Sequence, residues 1–334
     1  MSAAQPVTAD RPGAAAGSGA PLQARLGWLM WRQHRMLIRV LLVAVAVAVV
    51  AVPVVHSAMV SYIDSHHIAG CREYTRDPAC PGRAMHNFQE TYGRLLQLGG
   101  ALLTLMPLVL GVFVGAPLLA AEFERGTWRL VLTQSVTRTR WVAAKLLTVG
   151  AIGLAVSAVA MVMYRWLWLA GGGELTGVRW FSKSFMAAGG PVLVATTLLG
   201  LALGAAAGLL LRRVVRAMAA TACVLLVLQY LLGAVRPYLI HWDTARGGPS
   251  AVGYDTWGFA RQFLGSVAHQ LPYDLCSVAP DYSGCLLTHG GNEEFNIHRA
   301  SDYWPLQAAE SGICLALTAA LVLLVLRRVR CAPL

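Results

Sequence analysis

Six stretches of this 334-residue chain are predominantly apolar, and several show neither the 3.6-residue stripe of a surface helix nor the alternation of a half-buried strand. They run over residues 40–60, 95–121, 142–164, 187–211, 217–240 and 306–326. Each has the ~20 residues a helix needs to cross about 30 Å of hydrocarbon, where every backbone polar group must be paired inside the segment. The pattern predicts an all-α integral membrane protein with six transmembrane helices. Pro53, Pro107 and Pro191 are expected to kink or start three of them.

Ahead of the first run, Leu22, Leu26, Leu29 and Met30 recur at helical spacing, with Gln23, Arg25, Arg32, Gln33 and Arg35 on other faces and Trp28 and Trp31 as interfacial anchors. Residues 22–39 are therefore expected to form an amphipathic helix lying on the cytoplasmic leaflet; the alternative is a plain extension of the first span past the headgroups. Residues 1–21, rich in Ala, Gly and Pro, read as a disordered cytoplasmic tail, and 327–334 as a basic one. The first apolar run is longer than the core of a signal peptide and reads as an uncleaved anchor. The loops 61–94 and 241–305 are assigned to the outer side of the 40–326 body. The second holds ten aromatic residues and is expected to fold as a small cap, with a helix around 257–269.

Composition agrees. Hydrophobic residues make up 57% and charged residues 13%, against roughly 45–50% and about 25% in soluble domains, which excludes soluble, disordered, collagen-like and coiled-coil classes. Charge sets orientation, since Lys and Arg collect in short cytoplasmic loops. One alternate set of loops carries sixteen basic and three acidic residues, +13, and the rest of the chain −2, giving the total of +11. Both termini are then cytoplasmic, and the pI near 9.7 calls for no nucleic acid. Cys71 and Cys80 fall in the first outer loop and Cys276 and Cys285 in the last, each pair enclosing eight residues. A disulfide within each loop is favoured, although four cysteines allow three pairings. Cys223 and Cys314 lie in spans, Cys331 in the tail.

The chemistry of an enzyme is not in evidence. There is no HExxH, His66 and His67 are adjacent in an outer loop, and Glu122 and Glu124 are two apart at a helix end, so they point to different faces. No metal site and no resident cofactor are expected. With no GxxxxGK[ST] loop, any ATP-driven action needs a separate subunit. Polar residues inside the spans are sparse: Gln97, Thr104, Thr148, Arg165, Thr196, Thr197, Thr221, Gln229 and Glu310. Thr104, Thr221 and Gln229 are candidates for a substrate path, with helix-to-helix hydrogen bonding an equal alternative. Arg165 and Glu310 are expected to snorkel from the outer ends to water.

The loop between the second and third runs is unusual for a connector. Glu122 and Glu124 end the second span, Gly126 allows a turn, and Thr127 is suited to cap a short helix from Trp128 to about Gln134. On that helix Trp128, Val131 and Leu132 share a face beside Arg129, and Arg138, Arg140 and Lys145 lead into the third span. An apolar knob ringed by charges of both signs suits docking into a partner's groove.

The run EFERGTWRLVLTQSVTRTRWVAAK resembles the cytoplasmic loop of bacterial ABC transporter permeases of the type-2 (ABC-2) exporter family. The likeness covers about 25 residues as motif and most of the chain as topology. It departs at Gln134-Ser135, where many relatives carry Thr-Pro, and in the long cysteine-bearing last loop. The high Ala, Gly and Arg content looks like that of a high-GC actinobacterium. The resemblance implies that Glu122, Glu124, Gly126 and Thr127 form the bend, that Trp128 to Gln134 are the coupling helix, and that Arg138 and Lys145 match the basic positions after it. It further implies a partner ABC ATPase binding ATP-Mg and a second permease copy, identical or paralogous. It implies residence in the bacterial plasma membrane and export of a drug, a peptide antibiotic, a lipid or an ion. The rival reading is a non-transporting sensor or immunity scaffold that binds an antibiotic through its outer loop.

Overall fold

The computed structural model describes residues 22–71, 80–126, 137–246, 253, 255–264, 285 and 292–331. Among these, six helices are long and apolar enough to cross a membrane: Val45–Ser65, Gly82–Arg125, Arg138–Thr176, Val192–Leu211, Val214–Tyr238 and Ala300–Cys331. All six expected spans are present, in a mostly helical multi-pass membrane protein. The chain divides into two compact units, Met1–Ala46 and Val47–Leu334. In the first, residues 22–46 are helical and belong to the element Leu22–Ser65, so the expected 22–39 segment is helix. The remaining description concerns the second unit.

Its organising element is the fourth span. Some 78% of its most apolar window is buried by protein, and it touches the second, third, fifth and sixth spans. Small residues make this possible, because in lipid helices associate by close van der Waals packing rather than by hydrophobicity. Gly200, Gly204 and Gly208 recur every four residues and face Pro107, Gly111, Gly115 and Ala116 of the second span. A Cβ placed on Gly200 would lie 2.6 Å from the Pro107 carbonyl oxygen, and one on Gly208 equally close to that of Ala116. Gly204 sits tightest, against the Gly111 carbonyl and the Ala116 amide. Opposite this stripe the second span widens into a π-helical stretch, Gly111–Gly115, a device by which a helix re-aims its faces without breaking.

The largest buried core lies at one end of the bundle, here called the cap end. Met59 and Ile63 of the first span, Phe88 and Leu96 of the second, and Tyr164 and Leu167 of the third meet there. Phe185 of the short helix Lys183–Ala188 and Tyr303 and Leu306 of the sixth span complete it. The second span therefore starts earlier than 95: Met85 and Phe88 are buried, so residues 82–94 are helix instead of loop. The fourth span starts later than 187, after a break at Gly189 and Gly190, with Pro191 at its N-cap. Gln307 staples this corner, its amide donating to the Met186 carbonyl at 2.7 Å and accepting from the Val192 amide at 3.3 Å.

The described part of the cap is built on strands. β1 (Asp243–Arg246), β2 (Trp257–Leu264) and β3 (Asn292–His298) form an antiparallel sheet in the order β1-β3-β2. The helix expected around 257–269 is thus replaced by a strand over 257–264. Trp257 stacks parallel to Phe181 at 6.3 Å and meets Trp180 edge-on, which seats the sheet on the cap-end core.

Cys71 and Cys80 are disulfide-bonded to each other. Cys285 is disulfide-bonded too, and its expected partner Cys276 lies outside the described residues. Cys223, Cys314 and Cys331 are free. Closing so short a loop constrains the unfolded chain by about 2–3 kcal/mol. The double substitution Cys71→Ser/Cys80→Ser is expected to lower stability by that amount, read as a shifted unfolding midpoint in detergent, with the six spans still inserted.

Candidate functional site

Of the loop singled out by sequence, Thr127, Trp128, Arg129, Val131 and Leu132 lie outside the described residues; its two shoulders are described. Glu122 is buried and accepts an ion-paired hydrogen bond from the Lys145 ammonium of the third span. That ammonium also stands 4.4 Å from the centre of the Trp141 ring. Glu124 faces elsewhere, as a two-residue separation on a helix requires. Its Oε2 accepts at 3.0 Å from the backbone amide of Val214, one of the first-turn donors of the fifth span that no intrahelical carbonyl reaches. Gly126 ends the second span in the left-handed region, φ 69°, which Gly adopts without steric cost. The neighbouring Arg212 guanidinium covers the Phe123 ring at 5.6 Å. Arg138 is half-buried and Arg140 exposed at the start of the third span.

The two glutamates, which the sequence reading assigned to the rim of a docking knob, thus have partners within the chain. The end of the second span is thus fastened twice, to the third span through Glu122 and to the fifth through Glu124.

Towards the cap end, Thr104 and Gln229 do come together. The Gln229 amide donates to the Thr104 carbonyl at 3.4 Å, and both residues line a cavity of about 60 Å³ between the second, fourth, fifth and sixth spans. That space fits roughly two waters. Thr221 is buried elsewhere on the fifth span, its hydroxyl spent on the Ala217 carbonyl at 2.7 Å, and does not line the cavity. Thr196 does line it, with its hydroxyl turned to the Val192 carbonyl at 2.7 Å.

The decisive pair on this wall is one the sequence reading missed. Arg236, at the end of the fifth span, holds Glu310 of the sixth through two parallel bonds, Nε to Oε2 at 2.7 Å and an amino nitrogen to Oε1 at 2.8 Å. The Glu310 side chain is 2% exposed, so it does not snorkel to water as expected. Arg165 is half-buried and lies 5.5 Å from the Tyr303 ring and 4.8 Å from that of Trp304. The signal was present: a carboxylate inside an apolar run is expensive unless paired, and Arg236 is a cation at the same end of the preceding span.

A family model described as ABC-2 membrane transporter related matches residues 41–236, more than half of the chain. No curated protein and no solved structure matches.

Proposed function

Since this chain belongs to the ABC-2 membrane transporter related family, we propose that it is the permease subunit of an ATP-driven exporter, working with a separate ABC ATPase that docks on the 122–140 loop. The observation that carries this reading is the double fastening of that loop, Glu122 to Lys145 and Glu124 to the Val214 amide. A motor gripping the loop has its displacement spread over the second, third and fifth spans, whereas a loop tethered only by its own chain would absorb it. The cavity under the Arg236–Glu310 pair is walled by the second and fifth of these spans together with the fourth and sixth, so such a displacement would reshape it. Only cargo that binds the two resulting states differently would be carried.

In this reading ATP-Mg is held by the partner, the loop end and both termini face the cytoplasm, and the cap faces out of a bacterial plasma membrane. One chain offers one loop, so two copies or a paralogous pair are needed to seat two ATPase subunits. The cargo is a hydrophobic or amphipathic molecule or an ion.

Trp128→Ala is expected to leave insertion and thermal stability unchanged while weakening ATPase co-purification at least tenfold, the scale of losing a buried aromatic anchor. Glu124→Ala should retain the partner but blunt the coupling of its ATP hydrolysis to transport. Unchanged partner binding and unchanged coupling in both variants, assayed in proteoliposomes with the cognate ATPase, would remove the docking role of this loop.

A further inference from the structure

A second cavity, of about 260 Å³, opens at the cap end between the third and sixth spans, the Lys183–Ala188 corner and the cap. Two guanidinium groups line it, Arg165 and Arg179, together with Trp168, Trp180, Tyr303 and Trp304. The indole N–H groups of the first two tryptophans are spent on backbone, Trp168 on the Val178 carbonyl at 2.7 Å and Trp180 on that of Asp255 at 2.9 Å. What they offer a visitor is ring surface. Gly172, at φ 63°, breaks the helical course of the third span, and Gly173 beside it contributes to the wall.

Arg165 is the unusual member. One of its amino nitrogens donates to the Gly189 carbonyl and to the Tyr303 hydroxyl, both at a long 3.4 Å, and its flat face lies over Tyr303 and Trp304. All of these partners are neutral, and no carboxylate among the described residues pairs with it. A half-buried guanidinium near the end of a membrane span without a counter-charge is costly, and its planar fork is shaped for a phosphate or carboxylate. Among the described residues, Asp255, itself exposed, is the one acid on the lining.

We infer that this cavity is a binding site for the anionic headgroup, phosphate or carboxylate, of an amphiphile entering from the cap-end leaflet. Arg165 supplies the charge, and the aromatic walls sandwich the neck of the molecule. The volume takes a headgroup and not a long acyl chain. The tail has a place beside it: Trp166, Leu169 and Trp304 leave large apolar surfaces exposed next to Arg165, in a position typical of interfacial aromatics. The site is independent of the exporter reading, because it requires only this chain.

The test uses the purified full-length chain, with adducts counted by native mass spectrometry across a titration. The probes are dodecyl phosphate below its micellar concentration, inorganic phosphate and dodecyltrimethylammonium. Dodecyl phosphate is expected to bind, with inorganic phosphate and the cationic amphiphile at least tenfold weaker. Arg165→Gln should cost about tenfold, the scale of one charge-assisted contact, and Arg165→Lys should restore part of it. Trp304→Ala, a side chain more than half exposed and safe for folding, should cost about threefold and keeps the test valid if Arg165→Gln does not fold. Equal binding of inorganic phosphate would reduce the cavity to an anion site and overturn the amphiphile. Equal binding of the cation, or binding that neither Arg165→Gln nor Trp304→Ala affects, would overturn the site itself.

Discussion

Replacing Glu310 by leucine is expected to destabilise the protein by about 3–5 kcal/mol, because it strands the Arg236 guanidinium in a buried place with no counter-charge. The size of the effect comes from what remains rather than from what is lost. A bidentate pair between two buried side chains repays much of its own desolvation, so removing both charges at once is a different experiment. The double substitution Arg236→Leu/Glu310→Leu should recover most of the loss and could exceed the parent. Unfolding midpoints in mixed micelles for the parent, the two single variants and the double variant make a complete cycle. If Glu310→Leu alone leaves the midpoint where it was, the carboxylate is reached by water and the pair does not hold the fifth and sixth spans together. If the double variant is stable yet fails to transport, the pair serves the transport cycle and not the fold.

A comparably large loss is expected from one methyl group. Gly204→Ala puts a Cβ onto the Gly111 carbonyl and the Ala116 amide, and both obstacles are backbone, which cannot rotate aside as a side-chain tip does. Overpacking of this kind costs roughly 1–3 kcal/mol in soluble cores, occasionally more. Here the upper end or beyond is expected, since the second and fourth spans must separate along their whole contact. Gly150→Ala is the control. Its Cβ meets nothing within 4 Å, so the same change in a neighbouring helix should be neutral or slightly stabilising through reduced chain entropy. Both are read as the fraction of monodisperse protein after extraction and as unfolding midpoint. Equal behaviour of the two variants would refute the claim that the glycine stripe sets the distance between these spans.

Much of this fold was legible in hydrophobicity, because a lipid-facing helix has to advertise itself over about 20 residues. The places where legibility failed share a cause. In β2, Trp257 and Phe259 alternate with Gly258 and Ala260, a two-residue period, but the strand it pairs with begins at Asn292. The two strands are far apart along the chain, so the pairing has no local signature, and the aromatic run reads as a helix. The second span outran its apolar core for a similar reason: Met85 and Phe88 find their burial among residues of the first and third spans. The candidate site divides the same way. Gly126 was identified by local backbone logic, and it occupies the left-handed turn expected of it. Thr104 and Gln229 were marked as polar intruders and do share a cavity, whereas Thr221, marked on the same grounds, satisfies itself within its own helix. The charges of Glu122 and Glu310 were visible, but their partners lie 23 and 74 positions away. Sequence alone therefore offers two explanations that need no partner within the chain, a docking rim and a snorkel.

The encasement of the fourth span limits how this molecule associates with its own kind. Neighbours on several flanks already occupy that helix, leaving little of it for another subunit to grip. Any pairing of two protomers must therefore be made by the peripheral helices, such as the first and fifth, whose sides are still open to lipid. Small residues on the central helix are accordingly bound to intramolecular neighbours, and crosslinking cysteines meant to trap a dimer belong on the periphery.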